Sequence, residues 1–123
     1  MSGRNFLLDT NIVLYLLSGD KSVVSIIGTR QPCISLITEM ELLSSPRLTS
    51  LEEKPIRSFI NSCIVAGINN TIKEAAIKIR RETSLKLPDS IIAATAISLG
   101  FHLLTADTEF NKLKSLYILQ YVK

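Results

Sequence analysis

Short apolar segments alternate with helical segments along the chain, and this alternation limits the possible folds more than any other feature. Buried strands are predicted for the segments 6–8, 33–35, 64–66, 102–105 and 116–121. Helices are predicted between them, over 12–17, 22–27, 36–44, 52–61, about 70–83 and 87–99. Strands and helices in alternation are typical of an α/β domain whose parallel sheet is covered by helices on both faces.

The length of the chain suits one domain with a sizeable core. Its 123 residues can bury about two-thirds of the surface that the unfolded chain would expose. No internal repeat or linker divides the sequence, so we expect a single domain over residues 1–123.

The composition excludes several kinds of functional site. The only histidine, His102, rules out a site built on two histidines. Cys33 and Cys63 form no CxxC pair, which favours a reducing compartment over a secreted disulfide framework. The five glycines form neither a GxGxxG motif nor a P-loop, so these two nucleotide-binding motifs are absent from the sequence.

Neither of the two apolar stretches of the sequence is typical of a targeting or membrane segment. The N-terminal stretch is interrupted by Asp-Thr-Asn at 9–11, which is not typical of a signal peptide. The stretch 91–104 is too short to span a bilayer. We therefore expect a soluble protein of the cytoplasm with no membrane partner.

Four acidic residues lie within apolar sequence, where charged side chains are uncommon. Asp9 and Asp107 lie at or just beyond the carboxyl ends of predicted strands, the edge at which α/β sheets form ligand sites. Asp89 is in the first turn of a helix that is apolar on nearly all sides, and Glu41 lies within the segment 36–44. Acids that are far apart in sequence can therefore converge at one edge of the sheet.

The position of Asp89 on its helix supports this convergence. Asp89, Ile92, Ala93 and Ala96 fall on one stripe of the helix, at spacings of three and four residues. Because the other members of the stripe are apolar, the Asp89 carboxylate is predicted to continue an inward-facing surface.

Several buried carboxylates cannot all stay ionised close together without a counter-charge. Either one carboxyl keeps a proton, or a divalent cation neutralises the cluster. Ligands that are all oxygen, with no histidine or cysteine pair, favour Mg²⁺ or Mn²⁺. Apart from these four acids, the chain carries fourteen basic and seven acidic side chains, which suits a polyanionic substrate such as nucleic acid.

Each acid also has an ordinary structural interpretation. Asp9 can cap the helix that follows it, and Asp89 can be a first-turn acid that the helix dipole favours. Asp107 can belong to a turn. Helical spacing alone does not separate Glu41 from Glu39, so the choice between these two glutamates stays open at this stage.

A basic group precedes Asp89 in the sequence, formed by Lys78, Arg80, Arg81 and Lys86. Such a group is usually a solvated helix face. It can contact phosphates only if it lies beside the acids.

Four segments carry a more specific pattern, in the order FLLDTN (6–11), ISLITEMEL (34–42), LKLPDSIIAATA (85–96) and LLTADTEF (103–110). In sequence and in order they resemble the PIN-domain ribonucleases, and more narrowly the VapC-type toxins of bacterial and archaeal toxin–antitoxin pairs. Each segment alone is a weak signal, whereas the four together cover nearly the whole chain.

The resemblance implies a three-layer α/β/α fold with a central, mostly parallel sheet, and a metal-dependent endoribonuclease. The acids that match the family's Mg²⁺ or Mn²⁺ site are Asp9, Glu41, Asp89 and Asp107. The matching polar residues, which are implied to orient those carboxylates, are Asn11, Ser35, Thr38 and Thr105. One departure is Ala106, where relatives often carry a polar residue, and this leaves the role of Asp107 open.

The implied reaction hydrolyses RNA phosphodiesters and leaves a 5′-phosphate and a 3′-hydroxyl. The implied partners are a second copy of the chain, as a homodimer, and a small antitoxin protein that places a segment in the acidic groove.

Two other functions compete with this one. A non-catalytic module that only binds RNA or protein is disfavoured because all four acids are present. A phosphoacceptor receiver domain has a similar length and pattern, but it needs adjacent acids after the first strand and a lysine after a late strand. Here Asp9 is followed by Thr10 and Asn11, and no lysine ends the segment 102–105.

Overall fold

A computed structural model describes residues 5–123, so the first four residues of the predicted domain lie outside it. Within this range, five strands form one sheet: β1 (Phe6–Leu8), β2 (Cys33–Ser35), β3 (Ile64–Ala66), β4 (His102–Thr105) and β5 (Ile118–Gln120). The strand order is β3-β2-β1-β4-β5, and every neighbouring pair is parallel. The predicted strands are confirmed, although the last is shorter than the segment 116–121.

The helices are α1 (Thr10–Leu17), α2 (Lys21–Ile27), α3 (Leu36–Leu43), α4 (Ser50–Ser62), α5 (Asn70–Thr83) and α6 (Leu87–Leu99). All of them were predicted, but α2 begins one residue earlier than expected, and the first and fourth helices begin two residues earlier. The first begins at Thr10 because Asp9 already acts as its N-cap. The fourth begins at Ser50 because Thr49 and Glu52 form a capping box.

A short 3₁₀ helix, Thr108–Lys112, follows β4 and was not predicted as a helix. Asp107 is its N-cap and accepts a hydrogen bond from the Glu109 main-chain nitrogen at 2.9 Å. The turn chemistry expected at Asp107 is therefore present, and it continues into one helical turn.

Helices cover both faces of the sheet. Consecutive strand residues belong to different core clusters, since Leu7 packs with α5 and α6, whereas Leu8 packs with α1, α2 and α4. Leu103 and Leu104 of β4 divide in the same way. The predicted three-layer α/β/α architecture is confirmed, and the sheet is entirely parallel within the described residues.

Helix α6 is packed centrally, as its composition predicted. Ala93, Ala94 and Ala96 are fully buried, so the helix backbone approaches its neighbours closely. The helix ends at Gly100, whose φ of +69° is left-handed and whose main-chain nitrogen donates to Ala96. This central helix carries Asp89 in its first turn.

Among residues 5–123, no single helix reaches the length and apolar character of a membrane span. That threshold is met only when α1 and α2, which are bent by 116° relative to each other, are counted together.

Candidate active site

The chain leaves β1 and β4 in opposite directions, which opens a crevice at the carboxyl edge of the sheet. After β1 the chain builds β2 and β3 on one side, and β4 and β5 lie on the other. Leu8 of β1 is in register with Leu104 of β4, so the residues that follow these two strands are brought together. In parallel α/β sheets such a switch point is where ligands bind.

Asp9 follows β1 at this crevice and is only 6% exposed. Its Oδ1 accepts a hydrogen bond from the Thr10 main-chain nitrogen at 2.8 Å, and its Oδ2 accepts one from Thr105 Oγ1 at 2.7 Å. Burial raises the pKa of Asp9, and the two hydrogen bonds oppose this effect. The negative charges of Asp107 and Glu41 raise the pKa further.

Asp89 reaches the same crevice from the first turn of α6, and its side chain is half-buried. Burial is the main cause that raises the pKa of Asp89 to about 6. The charges of Asp9, Asp107 and Glu41 add to this increase, in that order, and Lys86 partly opposes it. Asp9 and Asp89 are therefore each close enough to the other three acids to be affected by their charges.

Glu41 of α3 is more exposed than Asp9 but is held by a hydrogen bond. Thr10 Oγ1 donates to Glu41 Oε1 at 2.6 Å, and the Thr10 and Thr38 hydroxyl oxygens are 3.0 Å apart. Sequence spacing did not separate Glu41 from Glu39. The structure does, because Glu41 is the one that contacts Thr10 and repels Asp9 and Asp89.

Asp107 lies two residues beyond β4 and is tied to Asp9 through Thr105. Thr105 Oγ1 accepts a hydrogen bond from the Asp107 main-chain nitrogen at 2.9 Å and donates its own proton to Asp9. The intervening Ala106 is partly buried and packs against the core. An apolar residue at this position therefore has a packing role, while the charge of Asp107 raises the pKa of both Asp9 and Asp89.

A family model of the PIN domain matches residues 6–116. This chain belongs to the PIN domain family. The match covers all four of the acid-bearing segments, and the resemblance drawn from those segments is confirmed.

Several solved structures share the fold of this chain. A toxin–antitoxin complex from Klebsiella pneumoniae has 31% identity and a TM-score of 0.80, covering 94% of this chain and 97% of that one. A DNA-bound VapBC complex from Salmonella typhimurium has 24% identity and a TM-score of 0.79, covering 96% and 98%. VapBC2 from Rickettsia felis, bound to a promoter DNA fragment, has 17% identity and a TM-score of 0.78, covering 94% and 97%. No curated protein matches the chain in sequence.

The four polar residues that the resemblance singled out take different positions in this PIN domain. Thr105 contacts Asp9 directly, and Thr38 reaches Glu41 through Thr10. Ser35 is fully buried and caps α3, accepting a hydrogen bond from the Ile37 main-chain nitrogen at 3.1 Å. The exposed Asn11 side chain makes no hydrogen bond to other described residues, so its orienting role stays a prediction.

Thr10 is the polar contact that the sequence reasoning missed. It binds Asp9 through its main-chain nitrogen and Glu41 through its hydroxyl. The available signal was its position between Asp9 and the helix, where a hydroxyl side chain at the helix start is well placed to meet a neighbouring carboxylate.

No basic side chain pairs with the four acids within residues 5–123. The ion pairs of the described chain join Arg57 to Glu53, Lys73 to Glu74 and Lys112 to Glu109, all on the surface. In this range, no three His, Cys, Asp or Glu side chains lie close enough together to hold a metal ion as they stand. The four acids Asp9, Glu41, Asp89 and Asp107, which we call the acidic pocket, thus have a surplus of negative charge, and their carboxylates remain spread apart.

Of the basic group that precedes Asp89, Lys86 is the member beside the acids. It is the N-cap residue of α6, and its charge acts on both Asp89 and Glu109. Lys78, Arg80 and Arg81 are exposed on α5. Only part of the basic group therefore borders the acidic pocket.

A separate surface groove of about 430 Å³ runs along α4, away from these acids. Its lining residues all come from that one helix: Ser50, Glu53, Lys54, Arg57, Ser58 and Asn61. A ligand site needs polar groups that converge from several elements, so we place the candidate active site at the sheet edge instead.

Proposed function

We propose that this PIN domain is a Mg²⁺- or Mn²⁺-dependent endoribonuclease and acts as the toxin of a toxin–antitoxin pair in the cytoplasm. One observation supports this most directly: four separate parts of the chain bring carboxylates to the switch point of the sheet, where Asp9 and Asp89 are each affected by the charges of the other acids. A purely structural cap or turn has no need to share its location with three other acids. The single domain of residues 1–123 would supply the whole site.

The donor chemistry of the pocket fits a hard divalent cation. Asp9 is buried as a carboxylate whose hydrogen-bond donors are all neutral, so its charge is not balanced by an ion pair within residues 5–123. Carboxylate oxygens are the ligands that Mg²⁺ and Mn²⁺ prefer. Because the carboxylates are spread apart, binding requires some of these side chains to move toward one another.

Such an ion, when bound, would activate a water molecule and stabilise the charge that develops on a phosphodiester. The residues of the chain have distinct tasks around it. Asp9, Asp89, Glu41 and Asp107 would hold the ion. Thr105 orients Asp9 through the hydrogen bond to Oδ2. Asp89, with its pKa raised to about 6 chiefly by burial, releases its proton just below neutral pH.

We expect the purified protein to cleave RNA when Mg²⁺ or Mn²⁺ is present and to lose this activity in EDTA. The products should carry 5′-phosphate and 3′-hydroxyl ends, which end-labelling of the fragments would identify. An Asp9→Asn preparation, purified in parallel, controls for contaminating ribonucleases. Cleavage that persists in EDTA would contradict metal dependence, and RNA binding without cleavage would favour the non-catalytic alternative.

Lys86 is the basic residue best placed to contact a phosphate of the RNA beside the pocket. We expect Lys86→Gln to weaken RNA binding for all sequences alike, because a phosphate contact carries no base information. On a log–log plot of affinity against salt, the slope should fall by about 0.7, the loss of one single-strand phosphate contact. Binding is measured in the Asp9→Asn background, where the RNA stays intact.

Lys78→Gln removes the same charge from the exposed part of α5 and serves as the matched control. If Lys78→Gln and Lys86→Gln reduce binding and salt dependence equally, the basic residues act only through net charge. The specific contact at Lys86 would then be refuted.

An antitoxin and a second copy of the chain are the proposed protein partners. The similar Klebsiella pneumoniae structure, at 31% identity, is a toxin–antitoxin complex, which supports an antitoxin for this chain as well. Light scattering after size exclusion should give the mass of a homodimer for the purified chain. Co-expression with the neighbouring open reading frame should yield a complex whose formation abolishes RNA cleavage.

A further inference from the structure

Thr10 joins two acids that come from different elements. It is the first residue of α1, and its main-chain nitrogen donates to Asp9 Oδ1 at 2.8 Å. Its hydroxyl contacts two side chains of α3: Glu41 Oε1 at 2.6 Å and Thr38 Oγ1 at 3.0 Å. Within the described part of the chain, Thr10 is the only residue that donates hydrogen bonds to the carboxylates of two of the four acids. Thr105 also contacts two of them, but at Asp107 it contacts the main chain.

The direction of these hydrogen bonds follows from the number of protons available. A hydroxyl group has one proton to donate. An ionised Glu41 can only accept, so the Thr10 proton goes to Glu41, and the proton between the two threonines must come from Thr38. Thr38 is fully buried, and its hydroxyl can rotate to direct that proton at Thr10 Oγ1.

A hydrogen bond to a carboxylate is shorter and stronger than one between neutral groups, and successive bonds polarise each other. The 2.6 Å distance to Glu41 fits this description. Glu41 is exposed and is repelled by Asp9 and Asp89, so without this bond its side chain would be free to turn toward solvent.

We propose that Thr10 is a positioning residue, which keeps the Glu41 carboxylate at the pocket and couples it to Asp9. The proposal deepens the proposed function and rests on it, since the pocket would take a divalent cation. With Thr105, Thr10 completes a chain of hydrogen bonds that runs from the Asp107 main chain through Asp9 to Glu41. Asp89, in the first turn of α6, takes no part in this series of hydrogen bonds.

The test compares Mn²⁺ affinity, measured by titration calorimetry without RNA, in a set of Thr10 variants. Thr10→Val keeps the shape but lacks the hydroxyl, and we expect Mn²⁺ binding to weaken about tenfold, as for other residues that orient ligands. Thr10→Ser keeps the hydroxyl and should retain wild-type affinity. Thr10→Ala repeats the deletion with a residue that favours helix, in case valine disturbs folding.

Two controls separate positioning from a general effect on stability. Thr71→Val makes the same change at an exposed threonine in the first turn of α5 and should leave Mn²⁺ binding unchanged. In a Glu41→Gln background, Thr10→Val should cause little further loss of Mn²⁺ affinity, because the carboxylate that Thr10 positions is already gone. A merely structural role of Thr10 would give additive losses instead.

The outcomes distinguish this proposal from the function on which it rests. If wild-type protein binds Mn²⁺ and the Val and Ala variants bind it equally well, Thr10 is not a positioning residue and the metal site stands. Additive losses in the Glu41→Gln background also overturn the proposal. If the wild-type protein binds no Mn²⁺, the proposed metal-dependent function fails and the role of Thr10 fails with it.

Discussion

Asp89→Asn is expected to abolish metal-dependent RNA cleavage and, in the metal-free protein, to raise the melting temperature. Loss of one charged ligand from the pocket removes several kcal/mol of transition-state stabilisation. Because about 1.4 kcal/mol corresponds to a tenfold change in rate, a decrease of about a thousandfold is expected. The rate is measured on a labelled RNA with saturating Mg²⁺ or Mn²⁺.

The gain in melting temperature follows from the repulsion among the acids. Asp89 has a pKa of about 6, raised by burial and by the charges of Asp9, Asp107 and Glu41, so at about pH 7.5 it is ionised at a free-energy penalty. Asparagine has nearly the same shape without the charge. Since water screens this half-exposed group, we expect a gain of about 1 kcal/mol, or about 3–5 °C.

The pH dependence of this gain provides an internal check. The pKa of Asp89 is raised in the folded state, from 3.8 to about 6, so the penalty is complete above pH 6 and disappears as the pH falls toward 3.8. The wild type should therefore approach the Asp89→Asn variant in stability at about pH 5. Other carboxyls also make stability depend on pH, such as Asp20, whose pKa is lowered by a hydrogen bond from Tyr121. Their contribution is the same in both proteins, so it cancels when the two are compared at each pH.

Glu82→Gln is the matched control, because it removes one negative charge from an exposed position on α5. It should change neither the rate nor the melting temperature. Asp9→Asn should also abolish cleavage with the fold intact, but with a smaller thermal gain, because Asp9 accepts two hydrogen bonds and asparagine keeps one acceptor oxygen. Full activity of the Asp9 and Asp89 variants would refute the assigned roles.

The sequence predicted the parts of this fold that depend on local pattern. The stripe from Asp89 through Ile92, Ala93 and Ala96 correctly predicted an inward-facing surface, because these apolar residues are buried and Asp89 is half-buried beside them. Asp9 is both a helix cap and a member of the acidic pocket. The two interpretations of this residue were not alternatives, since a carboxylate has two oxygens and can serve both.

The parts that escaped prediction depend on contacts between distant segments. The hydrogen bond from Thr10 to Glu41 joins residues that are 31 positions apart, and no local spacing reveals it. The family resemblance implies a role for Asn11, which stays a prediction, and it gave no indication of the contacts that Thr10 makes with Asp9 and Glu41. The 3₁₀ helix after Asp107 spans only five residues, which is too short to display a period.

Mn²⁺ is expected to stabilise the wild-type protein strongly at about pH 7.5 and much less at about pH 5. A ligand at 100 times its Kd stabilises the folded state by about 2.7 kcal/mol, which is about 8–13 °C for a chain of this length. At about pH 5 Asp89 must first release its proton, because its pKa is about 6. Affinity then falls about tenfold, and the same Mn²⁺ concentration stabilises the protein by about 1.4 kcal/mol.

Thermal unfolding with and without Mn²⁺, at constant ionic strength, measures this effect without any RNA. Asp9 adds to it in the same direction, because burial raises its pKa and its proton also competes with the cation. Asp89→Asn has no carboxyl to titrate at this position, so any Mn²⁺ shift that it keeps should vary less between the two pH values. An equal Mn²⁺ shift at both pH values in the wild type would mean that the cation binds away from Asp89, because only ligands that titrate in this range make its affinity depend on pH.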